Sequence, residues 1–203
     1  MSAFDDHKFR EIYPISFIMR KAISDFWFRI HSLPESKRYP EDETEWEILF
    51  ERHRALTDEV LVEGGLCRVH YTLFDDAGFP EDLAPSLDWG DIRSRSFGDD
   101  ETLYTQTAET VWSFDAFKPW IRRRSDDNLG WISFHSLDSD AIYSPYDGGV
   151  DIFSLDPTFI AKISSRFAAW KSPHPSGILR RTRKSGQGRA KLSYGRQVRE
   201  RVG

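Results

Sequence analysis

Residues 131–170, WISFHSLDSDAIYSPYDGGVDIFSLDPTFIAKISSRFAAW, read as one supersecondary unit, and their reading decides the fold. Trp131, Ser133 and His135 alternate with Ile132 and Phe134, the period of two of a strand with one buried face. A second short strand is predicted over Ala141–Ser144. Pro145 fixes its own φ and cannot donate to a ladder, while Gly148 and Gly149 allow positive φ. Pro145-Tyr146-Asp147-Gly148-Gly149 is therefore predicted as a chain reversal into a third strand, Val150–Phe153. Asp156 can accept from the free N–H groups of a first helical turn and Pro157 suits its first position. Phe159, Ile160, Ile163, Phe167 and Trp170 then recur at helical spacing.

Working outward, the clearest helix runs from Asp42 to Val62. Trp46, Leu49, Phe50, His53, Leu56 and Val60 make one apolar stripe, acids crowd the first turn, and Gly64-Gly65 supplies a stop. A strand follows over Leu66–Phe74, with Cys67, Val69, Tyr71 and Leu73 on one face, and Asp75 to Gly78 closes it. Upstream, Pro14 limits any helix to a start near Ile15, and Phe26 to His31 is an aromatic-rich strand that Leu33-Pro34 ends. Downstream, Thr102 to Trp112 is strand-like and Phe114 to Arg124 is a short helix with Phe117, Trp120 and Ile121 inward. From Gly78 to Asp100 the pattern is lost among prolines, glycines and acids, which predicts a long loop or insertion anchored by Leu83, Leu87 and Trp89. The fold class is α+β: a single domain over residues 1–177, a mostly antiparallel sheet packed against two or more helices, followed by a basic tail over 178–203.

Composition agrees with one well-filled core, since 14% of the 203 residues are aromatic. The formal charge of −5 is unevenly placed. Residues 178–203 carry nine Lys or Arg against one acid, which leaves 19 bases and 32 acids, a charge of −13, for residues 1–177 and +8 for the tail. An acidic body repels nucleic-acid phosphates and steers a basic protein toward itself, so nucleic acid is expected only through the tail. Cys67 is the sole cysteine, so one chain can form neither an internal disulfide nor a thiolate cage. MSAFDDHKFREIYP has acids where a secretory signal carries bases, and no apolar run approaches the ~18 residues that span a bilayer. The expectation is a cytoplasmic protein with no membrane contact.

Chemical signatures are sparse. The six histidines include no HExxH or HxxxH pair, no GxSxG elbow exists, and neither glycine pair has phosphate-loop spacing. No cofactor, metal ligand or catalytic residue is therefore assigned. Cys67 on an apolar strand face reads as an inert packed thiol, and His53 on the helix stripe as a satisfied core residue. Arg122, Arg123 and Arg124 end a helix, where the macrodipole favours cations. The strongest carboxylate pair is Asp147 and Asp151, and with Tyr146, Gly148 and Gly149 it forms the candidate binding site. Paired carboxylates perform acid–base chemistry when their environments separate their pKa values. The bland alternative is that Asp147 makes an Asx-type turn and Asp151 satisfies backbone donors in the same reversal.

These segments resemble an uncharacterised bacterial family, domain of unknown function 3885. Its members have an early strand of the type LRFELG, a long helix, a second strand, and a late hairpin with an IYxxYDDRGxDI motif before a C-terminal helix. FRIHSLP, the helix from Glu43 to Leu61, CRVHYTLFD, IYSPYDGGVDIF over Ile142–Phe153 and the segment Ile160–Trp170 match in that order. Gly148 and Gly149 stand where the family often has an acid and a base, so a role built on those charges is absent here. Small acidic, aromatic-rich bacterial proteins of this kind are often immunity partners of secreted toxins. The resemblance thus implies a non-enzymatic cytoplasmic binding protein, of immunity type, that neutralises a basic toxin through an acidic surface. The alternative is a small enzyme with Asp147 and Asp151 in a cleft.

Overall fold

The computed structural model of the protein describes residues 14–74, 87–97 and 101–171. The Asp75–Gly78 turn, the Leu83 anchor and the 177/178 boundary with its basic tail lie outside the described residues. In chain order come α1 (Ser16–Ala22), β1 (Trp27–His31), a short 3-10 turn (Pro34–Ser36), α2 (Glu43–Val60), β2 (Leu66–Leu73), β3 (Arg93–Phe97), β4 (Glu101–Val111) and α3 (Phe114–Ser125). Then follow β5 (Trp131–Ser136), β6 (Ala141–Tyr146), β7 (Gly149–Ser154), α4 (Pro157–Arg166) and a 3-10 turn over Ala168–Trp170. The strands form one sheet in the order β1-β7-β6-β5-β2-β4-β3, with every neighbouring pair antiparallel. The fold is α+β and a single domain.

The sheet has two unlike faces, and the strand registers assign each residue to one. Phe28, Ile30, Cys67, Val69, Tyr71, Ile132, Phe134, Tyr143, Val150 and Ile152 face α2, α3 and α4, and all are buried in the main core. At its centre Trp112 stacks on Phe117 with ring centroids 5.2 Å apart and meets Phe134 edge-on at 4.9 Å. The predicted stripe of α2 is fully realised, since Trp46, Leu49, Phe50, His53, Leu56 and Val60 are all buried. Asp42 caps this helix by accepting from the Glu45 N–H at 2.9 Å. Asp156 does the same for α4 through the Thr158 N–H at 2.8 Å.

The other face is lined by Arg29, Asp151 and Ser144, placed side by side across β1, β7 and β6. It is partly covered by α1, whose Met19 and the following Ile23 meet Ile142 and Phe153 in a small second cluster. Polar ties add to this cluster: Ser16 Oγ lies 2.7 Å from Ser144 Oγ, and the Ser133 hydroxyl donates to the Pro14 carbonyl at 2.8 Å.

Four expectations change. First, Arg93–Phe97, inside the stretch read as a loop or insertion, is strand β3; Leu87 and Trp89 do pack against the core. RSRSF gives no apolar alternation because β3 is the outer edge of the sheet and almost wholly exposed, where charged residues discourage edge-to-edge pairing. Second, β6 continues through Pro145, which pairs with Val150, so the reversal shrinks to Asp147-Gly148. Pro145 is tolerated because the β5–β6 ladder ends at Tyr143, before the missing N–H would be needed. Third, neither Gly148 nor Gly149 has a left-handed φ; among the described glycines only Gly64 does, at 81°. Fourth, α4 ends at Arg166, and Phe167 to Trp170 continue as a tighter turn.

Candidate functional site

The hairpin that joins β6 to β7 is closed by the Gly148 N–H, which donates to the Tyr146 carbonyl at 2.9 Å, with Tyr146 paired to Gly149. The need for glycine at 149 is a close approach. A Cβ there would overlap the Ile30 carbonyl oxygen of the neighbouring strand and come within 2.7 Å of the Tyr146 hydroxyl. At 148 the closest atoms to a Cβ would be side-chain carbons of Tyr146 and Arg38, at 3.3 and 3.4 Å, with the Arg38 Cα at an ordinary 3.9 Å.

Asp151 sits in the middle of β7, opposite Arg29 of β1, and is 0% exposed. Arg29 holds it with two parallel bonds of 2.7 Å, from Nε to Oδ1 and from Nη2 to Oδ2. Arg20 of α1 adds a third contact at 3.0 Å. The Arg29 guanidinium lies 4.3 Å from the centre of the Tyr146 ring, and both arginines approach the Trp27 ring, at 5.7 and 5.5 Å. Burial pushes the Asp151 carboxyl up to about 6, opposed by the Arg29 charge and its hydrogen bond. The same burial raises the Tyr146 phenol. This cluster fastens β1, β7 and α1 together.

Asp147 belongs to a separate cluster at the hairpin tip. Its carboxylate pairs with Arg38 and accepts from the Tyr39 hydroxyl at 2.9 Å, which ties the tip to the loop after the Pro34–Ser36 turn. Asp147 is held by Arg38 and Tyr39 and Asp151 by Arg20 and Arg29, with Tyr146 feeling the charges of Arg29, Asp151 and Arg38.

Of the remaining histidines, His31 keeps a buried Nε2 with no hydrogen-bond partner among the described residues, while His70 and His135 are bonded. His135 Nε2 lies 2.9 Å from Asp140, and His70 Nδ1 lies 3.1 Å from the Thr107 hydroxyl. His31 is on edge strand β1, separated from β5 and β2 by β7 and β6. Cys67 is fully buried, and desolvation pushes its thiol up to about 12. Arg122 pairs with Glu43 at 3.3 Å over the Trp46 ring, and Arg124 is buried with bonds to Asp127 and the Leu129 carbonyl. No group of three or more His, Cys, Asp or Glu among the described residues could hold a metal ion.

One constellation is invisible in the sequence. Ser32 Oγ lies 2.7 Å from His53 Nε2, and His53 Nδ1 is bonded to the Tyr143 hydroxyl. The order nucleophile, base, orienting group is that of a hydrolase triad, but all three residues are buried to within 1% exposure. Tyr143, wholly enclosed, satisfies its only proton by donating to Nδ1, which leaves Nε2 protonated and Ser32 as the acceptor. Ser32 is then not activated for attack. Burial lowers the His53 pKa to about 3, so this ring is a neutral bridge between α2 and the sheet.

A seven-stranded antiparallel sheet, with three helices on one face and a short helix tied by arginine–aspartate pairs to the other, defines an α+β domain with its polar cluster at a late hairpin. The chain belongs to the family described as Domain of unknown function (DUF3885), whose model matches residues 15–175. No curated protein and no solved structure matches the chain. No helix among the described residues is long and apolar enough to cross a membrane.

Proposed function

We propose that this protein is a non-enzymatic binding protein that works in the cytoplasm and engages a basic protein partner through its acidic surface, as an immunity-type protein neutralising a toxin. The observation that carries this reading is the contrast between two sets of acids. Asp147 and Asp151, the candidates for chemistry, are each already held by arginines inside the fold. On α2, by contrast, Glu47, Glu51 and Asp58 share the outward ridge, are exposed, and meet no cation among the described residues. Free surface carboxylates accelerate encounter with a basic protein at little cost to the fold. The separate arginine clusters also speak against the alternative, an enzyme that uses Asp147 and Asp151 in one cleft, because acid–base partners must face a common reacting atom.

Neutralisation is the test. The full chain, used as bait in the source cell, is expected to retain a basic protein that harms a host when expressed alone and is harmless when co-expressed with this chain. An equally harmful partner in the presence of folded, abundant chain would remove the immunity reading.

A further inference from the structure

Two arginines hold the buried Asp151 carboxylate, and they hold it in different ways. Arg29, on the neighbouring strand, covers both oxygens with parallel bonds, and its side chain is 9% exposed. That fork already supplies the counter-charge a buried acid requires. Arg20 adds one bond, at 3.0 Å, to the Oδ2 that Arg29 also reaches. One buried acid therefore carries two cations, and the second comes from α1 rather than from the sheet.

α1 has little stability of its own. It is seven residues long, no side chain caps its start at Ile15, and its first turn has no acid. Of its residues only Ser16 and Met19 are buried. β1, in contrast, pairs with β7 through all five of its residues, so Arg29 cannot leave without parting the sheet. Of the two cations on Asp151, Arg20 is the one that can be exchanged.

The place Arg20 occupies suits a guanidinium. The Asp151 carboxylate, wholly buried, is its floor, and Arg29 fixes the orientation of both oxygens. The Trp27 ring is one wall: register places it on the sheet face of Asp151, and its centre is 5.5 Å from the Arg20 guanidinium carbon. Arg20 is 18% exposed along its side chain, so the site reaches the surface although Asp151 does not. A carboxylate beside an aromatic ring selects a planar, weakly hydrated guanidinium over a compact ammonium. The occupant also shows what kind of segment fits. α1, SFIMRKA, carries two adjacent cations and no acid, and it seats Met19 with Ile142 and Phe153 in the small cluster that Trp27 packs against.

We infer that Asp151 and Trp27 form an arginine pocket, which α1 fills with Arg20 in the free protein and yields to an arginine of the basic partner. This rests on the binding reading above and adds to it the point of contact and its intramolecular competitor. The experiment uses the full chain with Arg20→Ala, and with Arg20→Gln alongside as a second way to empty the pocket; Asp151 keeps its Arg29 fork in both, and thermal melts confirm the fold. Ethylguanidinium, followed by NMR of the probe, is expected to bind these variants about 10-fold or more tightly than it binds the parent, whose tethered Arg20 competes. Ethylammonium is expected to bind them about 10-fold more weakly than ethylguanidinium. The basic protein retained from the source cell, once purified, is expected to bind Arg20→Ala about 10-fold more tightly than the parent, whereas a merely structural Arg20 would leave affinity unchanged or weaker. Lys21→Ala, the same charge change at an exposed neighbour, is expected to stay within about 2-fold. Equal affinity of parent and both variants for ethylguanidinium, or no preference over ethylammonium, overturns the pocket and leaves the binding reading standing. So does a partner that gains nothing from Arg20→Ala or gains as much from Lys21→Ala. Retention of no basic protein overturns both.

Discussion

Replacing Gly149 with alanine is the sharpest perturbation of the hairpin, because two physical accounts of its glycines predict different outcomes. If the glycines served a left-handed turn, alanine at 148 and at 149 would cost similar amounts, about 1–2 kcal/mol each. The structure gives neither residue such a φ and instead places the Ile30 carbonyl against position 149. An added methyl there would overlap that oxygen and lie 3.1 Å from its carbon, and a strand carbonyl cannot rotate aside. Accommodation requires β1 to part from β7, and with it the Arg29–Asp151 pair. Overpacking against backbone sits at the upper end of its usual range, about 3 kcal/mol, which in a domain of this size lowers Tm by about 6–12 °C. At 148 the neighbours are side-chain carbons at 3.3 and 3.4 Å, able to yield, so alanine costs under about 1 kcal/mol. Urea unfolding of both variants, with hydrogen exchange read at the β1 amides, measures the difference. Equal losses at the two positions, or a loss under about 1 kcal/mol at 149, would refute the close-approach argument.

Three further outcomes follow from buried groups. Asp151→Asn leaves Arg29 and Arg20 without their counter-charge and should cost about 3–5 kcal/mol in urea unfolding, whereas Asp147→Asn, whose partner Arg38 is largely exposed, should cost far less. His53 has a folded pKa of about 3 against 6.5 unfolded, so its contribution to stability is full above pH 6.5 and is lost as pH falls toward 3. His53 alone therefore lowers the unfolding free energy by about 1.4 kcal/mol per pH unit below 6.5, about 2 kcal/mol by pH 5, whereas Asp151, with its carboxyl pushed up to about 6, works in the opposite direction below pH 6; the difference between the parent and His53→Leu isolates the histidine slope. Cys67, buried and with its thiol pushed up to about 12, should resist a thiol-specific dye in the native protein and react fully in denaturant.

Much of the fold was legible because its signals are local. The α2 stripe, its Asp42 cap, the Asp156-Pro157 start of α4 and the alternation of β2 and β5 each follow from one face meeting one core. β3 was not legible, since RSRSF at a solvent-facing edge buries nothing and so has no period to read. The site was legible in part. Asp151 stands out as the acid in an otherwise apolar strand, and Arg29, the lone cation in WFRIH, is the matching anomaly 122 residues earlier. Nothing local pairs them, because register between β1 and β7 is set by the whole sheet. The same holds for Ser32, His53 and Tyr143, which meet only when α2 lies on the sheet. The need for glycine at 149 is legible only in part: sequence reveals that a glycine is present, while a close approach by another strand is a tertiary fact.

The central claim is that exposed acids steer a basic protein partner to this chain. It is tested most directly by the association rate between the full chain and that purified partner as salt rises from about 50 to about 500 mM, a range over which the screening length shrinks from about 14 to about 4 Å. The account predicts that the association rate falls by about 10-fold or more while the dissociation rate changes by less than about 3-fold. An association rate that holds constant across this range would contradict it.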